Sequence, residues 1–513
     1  VNETAHALGA SGTFWELIER RAALTPERTF LIQDDRTLTF GELRTRAERV
    51  AAGLYALGVR PGTVVAWQLP TRLETALLSF ALARIGAVQS PVIPFYRDRE
   101  VGFALRESKA EYFAVPGTWR GFDHTAMAAR LSADLAHPPE LIEAYDTLPD
   151  GDPSFLPPPP SDGTAVRWIY WTSGTTSDPK GVLHTDRSLI AGGSCLAHAL
   201  HLSADDIGSV AFPFAHVGGP DYAVMLLLYG FPAVLFEHFA MPDALAGYRR
   251  HGVTVAGGST AFYSMFLSEQ RKDPGRPVVP TLRLLAGGGA PKPPELYHAV
   301  VREMGVQLTH GYGMTEVPMI TMGAPDDTVE HLAETEGRPP EGMEIRITDE
   351  DGKPVPHGTD GEVRLRGEAV CRGYLASTSP SPFDAEGFLI TGDVGHVRPS
   401  GHLVLTGRLK DIIIRKGENI SAKEIEDLLA RHPGVGDAAV IGLPDQSRGE
   451  RVCAVVEQPP GAAALTLPEL TAYLRGEGLS VHKLPEQLEL VDALPRNEAL
   501  RKVLKYQLRE RFA

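Results

Sequence analysis

Apolar residues recur at three- and four-residue steps along Leu43, Ala47, Val50, Ala51, Leu54 and Leu57, and Gly58 follows as a stop. That period predicts an amphipathic helix. The apolar run Thr63–Trp67 predicts a buried strand, Leu73–Ile85 a second helix closed by Gly86, and Ala87–Ile93 a further short strand. Similar short apolar runs return near Gly208–Ala211, Ala233–Phe236, Val253–Ala256 and Leu282–Ala286. Strands alternating with helices predict an α/β architecture with parallel pairing.

The pattern changes twice. Pro157–Pro160, with Ser161-Asp162-Gly163 after it, cannot enter a helix or central strand and predicts a stiff subdomain join. From about Gly342, Glu344–Ile347 and Glu362–Arg366 alternate polar and apolar residues, as half-exposed antiparallel strands do. The expected organisation is α/β multidomain. A large N-terminal region, residues 1–409, holds α/β subdomains and a small β subdomain at about 342–407. A smaller α+β domain follows over 410–513.

With 513 residues the chain exceeds a single core. It contains no apolar run of about 18 residues, so no spanning helix is expected. Val1–Gly12 lacks the charged-then-apolar layout of a secretion signal. Cys195, Cys371 and Cys453 are far apart and lack metal-ligand spacing, which suits buried thiols in a reducing, cytoplasmic setting. A formal net charge of -15 disfavours nucleic acid and anionic membranes as partners. A polyanionic substrate would need local positive charge, and Arg408, Lys410, Arg415 and Lys416 form the best cluster.

Several segments carry candidate chemistry. Thr172-Ser173-Gly174-Thr175-Thr176-Ser177-Asp178-Pro179-Lys180-Gly181 sets hydroxyls, two glycines and a lysine directly after an apolar run. Backbone N–H groups in such a loop can converge on phosphate oxygens. No Gly-Lys-Ser/Thr closes it onto a helix, so it is not the Walker pattern. Standing alone, it also reads as a polar turn. In Gly311-Tyr312-Gly313-Met314-Thr315-Glu316 the glycines permit close backbone approach and Tyr312 offers a flat face for a purine. Thr315 can donate to phosphate, and Glu316 can hold Mg²⁺. The Gly287–Gly289 run before Ala290 and Pro291 leaves room for a ligand. In Thr391-Gly392-Asp393 a turn-held carboxylate can accept two ribose hydroxyls.

In this order the motifs resemble the acyl-adenylate-forming superfamily, and the resemblance runs from Thr25 to Arg509. It implies that Thr172, Ser173, Gly174, Thr175, Thr176 and Lys180 hold phosphates, and that Gly288, Gly289, Ala290 and His310–Met314 form the AMP site. It assigns Glu316 to the metal, Asp393 to the ribose and Arg408 to ribose or phosphate. Thr406–Asp411 resembles the family hinge, with the pivot at Lys410 (408–411), and Gly417 falls where CoA's thiol arm enters. The C-terminal domain is implied to be mobile about that hinge.

Near the C-terminus, Pro495-Arg496 leads to Lys502, the residue matching the family's catalytic lysine, with Thr315, Glu316 and His216 as further catalytic candidates. Arg501 stands where a Gly is usual, so Lys505 competes for the role. Ser177 also replaces a usual Gly. His216, in Ala215-His216-Val217, stands where amino-acid-activating relatives carry Asp, which favours an acid without an α-amino group. The function implied is an ATP-dependent, AMP-forming carboxylic acid:CoA ligase, using ATP, Mg²⁺ and CoA on a medium-length or cyclic acid. Tyr96–Glu100 resembles ligases of cycloaliphatic and steroid-degradation acids. Two alternatives stay open: loading of a separate carrier protein, and nucleotide binding without turnover. Oligomeric state is open too, a homodimer included.

Overall fold

A computed structural model describes residues 3–172, 179–416, 418–497 and 501–513. Ser173, Gly174, Thr175, Thr176 and Gly417, all expected site residues, lie outside the described residues.

The expected helices form. Helix Phe40–Ala56 opens on a capping box in which Thr39 Oγ1 accepts from the Glu42 N–H and the Glu42 carboxylate accepts from the Thr39 N–H. Helix Leu73–Ile85 is buried on every side and ends at Gly86, whose φ of 83° lies in the left-handed region. It packs within the principal core beside Phe14, Phe30 and Trp168.

Pairing is mixed where parallel pairing was expected. In the central six-stranded sheet the order is Gly181–Thr185, Val166–Trp171, Val88–Pro91, Val64–Trp67, Tyr112–Val115 and Glu140–Glu143. Its first two strands pair antiparallel and the others parallel. A tight hairpin can reverse the chain at one sheet edge, whereas parallel neighbours need a crossover. The motif Thr172–Gly181 joins these two strands in the sequence. A second sheet runs Val255–Gly258, Leu284–Gly288, Gln307–Met314 and Val317–Met322, the last strand antiparallel.

Met343–Thr348, Gly361–Gly367, Leu389–Val397 and Leu403–Arg408 form an all-antiparallel four-stranded sheet. A single turn of 3₁₀ helix, Leu409–Asp411, follows. Beyond it the strands Ile412–Arg415, Glu418–Ser421, Asp437–Asp445, Gly449–Glu457 and Gln487–Val491 make a five-stranded sheet. Helix Ala422–Leu429 packs on this sheet, and Ile413, Ile425, Val440, Val452 and Leu470 form its separate core. The Pro157–Pro160 run has no regular structure. Cys371 and Cys453 are buried, but Cys195 is only half-buried. No helix among the described residues is long and apolar enough to cross a membrane.

Candidate active site

A cavity of about 1330 Å³ opens between the two parts of the chain. From the N-terminal part it is lined by Gly289, Ala290, His310, Tyr312 and Asp393, and from the C-terminal part by Lys423 and Lys502. Gly311, Gly313, Arg408 and Lys410 also line it. Residues far apart in sequence thus face one space.

Asp393 is 2% exposed and held from two sides. The Tyr312 hydroxyl donates to Oδ2, and the Arg408 guanidinium donates to both carboxylate oxygens. Its own N–H donates to Thr391 Oγ1 at 3.0 Å. Strand register sets Asp393 directly opposite Arg408. Burial opposes charge on Arg408, but Asp393 more than offsets it and keeps the guanidinium charged.

Lys502 sits on a tight reversal. Arg496 and Val503 bridge antiparallel. The Asn497 N–H donates to Lys502 O at 2.9 Å, and the Lys502 N–H donates to Asn497 Oδ1 at 3.0 Å. Arg501 takes φ of 58°, a left-handed conformation that glycine adopts at lower cost. Burial, then Arg408, holds the Lys502 ammonium down to about 8, against the opposing pull of Asp393. Lys505, its competitor, also borders the cavity but is ion-paired to Glu426 at 2.7 Å.

The phosphate-loop base is closed by two hydrogen bonds. The Thr172 N–H donates to Lys180 O, and the Lys180 N–H donates to Thr172 Oγ1, both at 3.1 Å. Thr172 Oγ1 therefore ties Thr172 to Lys180. The Lys180 ammonium lies 4.8 Å from the centre of the Tyr374 ring, and the Tyr374 hydroxyl donates to Glu316 Oε1 at 2.7 Å. Tyr374 so joins the two motifs, a link invisible in sequence because it comes from a third segment. His184 is another such residue: its Nε2 is 2.8 Å from Thr315 O and its Nδ1 2.9 Å from Ser188 Oγ, which fixes the Thr315–Glu316 turn. Lys180, Thr315, Glu316, Met314 and Gly288 do not themselves line the large cavity.

The glycine run works differently from the expectation of empty ligand space. A Cβ at Gly287 would stand 1.9 Å from Gly258 O, and one at Gly288 2.5 Å from Gly311 O. A Cβ at Gly257 would meet Ala286 O at 1.7 Å. These glycines let neighbouring strands approach, and their volume is filled by backbone. Gly289, with φ of 88°, is the one of the three that borders the cavity.

His310 is buried, with Nε2 3.0 Å from Ala290 O, and burial holds it down to about 3, so it is neutral. His216 accepts the Gly218 N–H at Nδ1 over 3.1 Å, leaving Nε2 as the protonated nitrogen. Burial holds it down to about 4. It lies outside the lining of the large cavity. Tyr96–Glu100 is a helix entry: Arg97 lies 4.1 Å over the Phe122 ring and Asp98 opens helix Asp98–Ser108. The fold accounts for that segment without reference to a particular acid.

Residues 18–375 match the family described as AMP-binding enzyme, and residues 424–499 match the AMP-binding enzyme C-terminal domain. The chain is 35% identical over 483 residues to the salicyl-AMP ligase / salicyl-S-ArCP synthetase of Mycobacterium tuberculosis, spanning 89% of this chain and 82% of that protein. It is 35% identical over 517 residues to the 3-[(3aS,4S,7aS)-7a-methyl-1,5-dioxo-octahydro-1H-inden-4-yl]propanoyl:CoA ligase of the same species, spanning 96% and 97%. The crystal structure of ATP-bound MatB from Rhodopseudomonas palustris superposes with a TM-score of 0.86 at 27% identity, covering 97% of this chain and 98% of that one.

Proposed function

The chain belongs to the AMP-binding enzyme family, and from that premise we propose that it is an ATP-dependent, AMP-forming carboxylic acid:CoA ligase working through an acyl adenylate. The observation that carries the assignment of roles is the convergence of Lys502, Arg408, Asp393 and Tyr312 on one interdomain cavity.

The first step joins two anions. A carboxylate oxygen attacks the α-phosphorus of ATP and pyrophosphate leaves, so the protein's task is positioning and charge neutralisation. Lys502 meets the charge developing between carboxylate and α-phosphate. Asp393 orients the ribose, with Arg408 and Tyr312 fixing its carboxylate. Thr172 and Lys180 border the leaving phosphates. Glu316 is a single buried carboxylate with one oxygen held by Tyr374, a donor set that suits Mg²⁺ beside substrate oxygens. When bound there, Mg²⁺ neutralises phosphate charge. In the second step the CoA thiolate attacks the acyl carbon and AMP leaves.

One arrangement of Lys502 cannot also admit the thiol. We place the pivot at 408–411, between residues 1–409 and 410–513. Ser421 Oγ, which donates to Thr406 O, and the Arg509–Asp411 pair at 2.8 Å are two of the contacts beside it. A medium-length or cyclic acid and a cytoplasmic location, where ATP and CoA are available, complete the reading.

Exchange of labelled pyrophosphate into ATP across a panel of acids, followed by thioester assay with free CoA, tests it. No exchange with any acid overturns the enzyme assignment. The likeness to a salicyl-S-ArCP synthetase favours a second reading, transfer to a carrier protein's phosphopantetheine arm. Acyl transfer to carrier but not to CoA selects it.

A further inference from the structure

Asp327, His331 and His402 each offer one ligand atom, and these atoms all lie within 4.8 Å of one another. They come from three segments. Asp327 lies in the turn after strand Val317–Met322, His331 on the short helix Val329–Glu334, and His402 just before strand Leu403–Arg408. The His331 and His402 rings stack with centroids 3.8 Å apart and 17° between their planes. None of the three lines the interdomain cavity, so this cluster is separate from the nucleotide site.

His402 is 2% exposed, and its Nε2 has no hydrogen-bond partner among the described residues. That nitrogen is 3.3 Å from Asp327 Oδ1 but out of line for a hydrogen bond. Buried polar atoms are nearly always paired, so it needs an explanation. Ring packing accounts for the stack but leaves Nε2 unmatched. The groups around it are already fixed from behind. His402 Nδ1 is 2.9 Å from Ser400 Oγ. Asp327 Oδ2 accepts the Ala324 N–H at 2.9 Å, and Oδ1 accepts from Arg338 at 3.1 Å. Each carboxylate oxygen keeps a second lone pair. Hydrogen bonds to the far nitrogen of an imidazole and to a carboxylate are what orient metal ligands. Arg338 opposes a cation here, but its side chain is exposed and can turn into water. Arg398, the next basic residue nearby, is neutralised by Glu330 and Glu334.

We propose that Asp327, His331 and His402 bind one Zn²⁺, with water completing a four-coordinate site. Two imidazoles and one carboxylate suit a borderline cation such as Zn²⁺, whereas Mg²⁺ takes oxygen ligands. Zinc bonds of about 2.0–2.2 Å put ligand atoms roughly 3.3 Å apart, so the half-buried His331 draws in on binding. The ion enters from that side, since His402 is buried. Its effect is structural and does not depend on the ligase reading. The Leu403 N–H donates to Gly337 O, and the Glu336 N–H donates to Leu403 O. The metal adds a side-chain link beside these main-chain bonds. It ties the β subdomain, through His402, to the segment that leaves the second sheet.

The test uses the full chain, stripped with a chelator, and Zn²⁺ or Co²⁺ as the probe in buffer containing Mg²⁺. Calorimetric titration should show one Zn²⁺ bound per chain. Co²⁺ should give the intense visible bands of a four-coordinate site, and Zn²⁺ should raise the Tm. His331→Ala should abolish the bands and the Tm rise while leaving the metal-free Tm unchanged. Its Zn²⁺ affinity should fall by more than the roughly tenfold to hundredfold that loss of a supporting group costs. Glu316→Gln should bind Zn²⁺ as the natural protein does, which separates this site from the one beside the phosphates. If His331→Ala does not fold, His331→Gln, which keeps side-chain bulk, is read for the same losses. Absence of stoichiometric Zn²⁺ binding overturns the inference, and so does binding that the His331 variant leaves untouched.

Discussion

Lys505 Nζ is 2.7 Å from Glu426 Oε1, an ion pair within the C-terminal part of the chain. Lys502, three residues earlier, makes no ion pair among the described residues and faces the cavity shared with Asp393 and Arg408. An ammonium already neutralised by a carboxylate is poorly placed to meet the charge of a reacting phosphate. The geometry therefore favours Lys502 for the role that two lysines could fill by spacing. Lys502→Ala is expected to slow adenylation by roughly 2–4 kcal/mol of barrier, as for loss of one electrostatic stabiliser. Thioester formation from supplied acyl adenylate should continue. Lys505→Ala should leave both half-reactions within a few-fold of the natural protein. Half-reaction kinetics on the two variants decide between them, and equal loss of both half-reactions in Lys502→Ala would reject the division of labour.

The position of Lys502 has a pH consequence. Burial and Arg408 lower its pKa to about 8, so the protonated form that stabilises phosphate charge is lost as pH rises through that value. The kcat/KM for adenylation, which reports the free enzyme, should fall on the alkaline side with an apparent pKa near 8. Lys502→Arg should lack this limb, because a guanidinium does not titrate there. His216 and His310, held down to about 4 and about 3, are neutral across the same range and should add no step between pH 6 and 9. A profile with an unchanged alkaline limb in Lys502→Arg would assign the limb to another group.

Tyr374 links Lys180 to Glu316. Tyr374→Phe keeps the ring under the ammonium and removes only the donated hydrogen bond. A hydrogen bond to a charged group contributes about 1.5–3 kcal/mol. The expected result is a rise of roughly tenfold or more in the Mg²⁺ concentration needed for half-maximal exchange, with little change in KM for the acid. Mg²⁺ titrations of exchange activity measure it.

Asp221, on helix Gly218–Tyr229, is 2% exposed, and its Oδ1 has no hydrogen-bond partner among the described residues. An unpaired buried polar group costs about 1–3 kcal/mol. Asp221→Val should therefore raise the Tm of the ligand-free protein, and thermal denaturation of the two proteins checks this. A fall in Tm would show that the carboxyl has a stabilising partner.

The helices from Phe40 and Leu73 were legible because burial on one face, or on all, writes itself into residue spacing. The α/β class followed from alternation of such segments. Pairing direction did not, since the hairpin of Val166–Trp171 with Gly181–Thr185 and the strand Val317–Met322 depend on turn geometry that composition does not encode. The motif residues could be named in advance, but their connectors could not. Tyr374 and His184 act through contacts with segments 58 and 131 residues distant. Asp221 left one trace, an acidic residue inside the apolar run Gly218–Tyr229.

The glycines at 257, 287 and 288 make the strands behind Gly289 a surface of main chain pressed on main chain. Such a surface offers no side chain to exchange and no slack to enlarge. A side chain added at any of these three positions would first have to prise its paired strands apart.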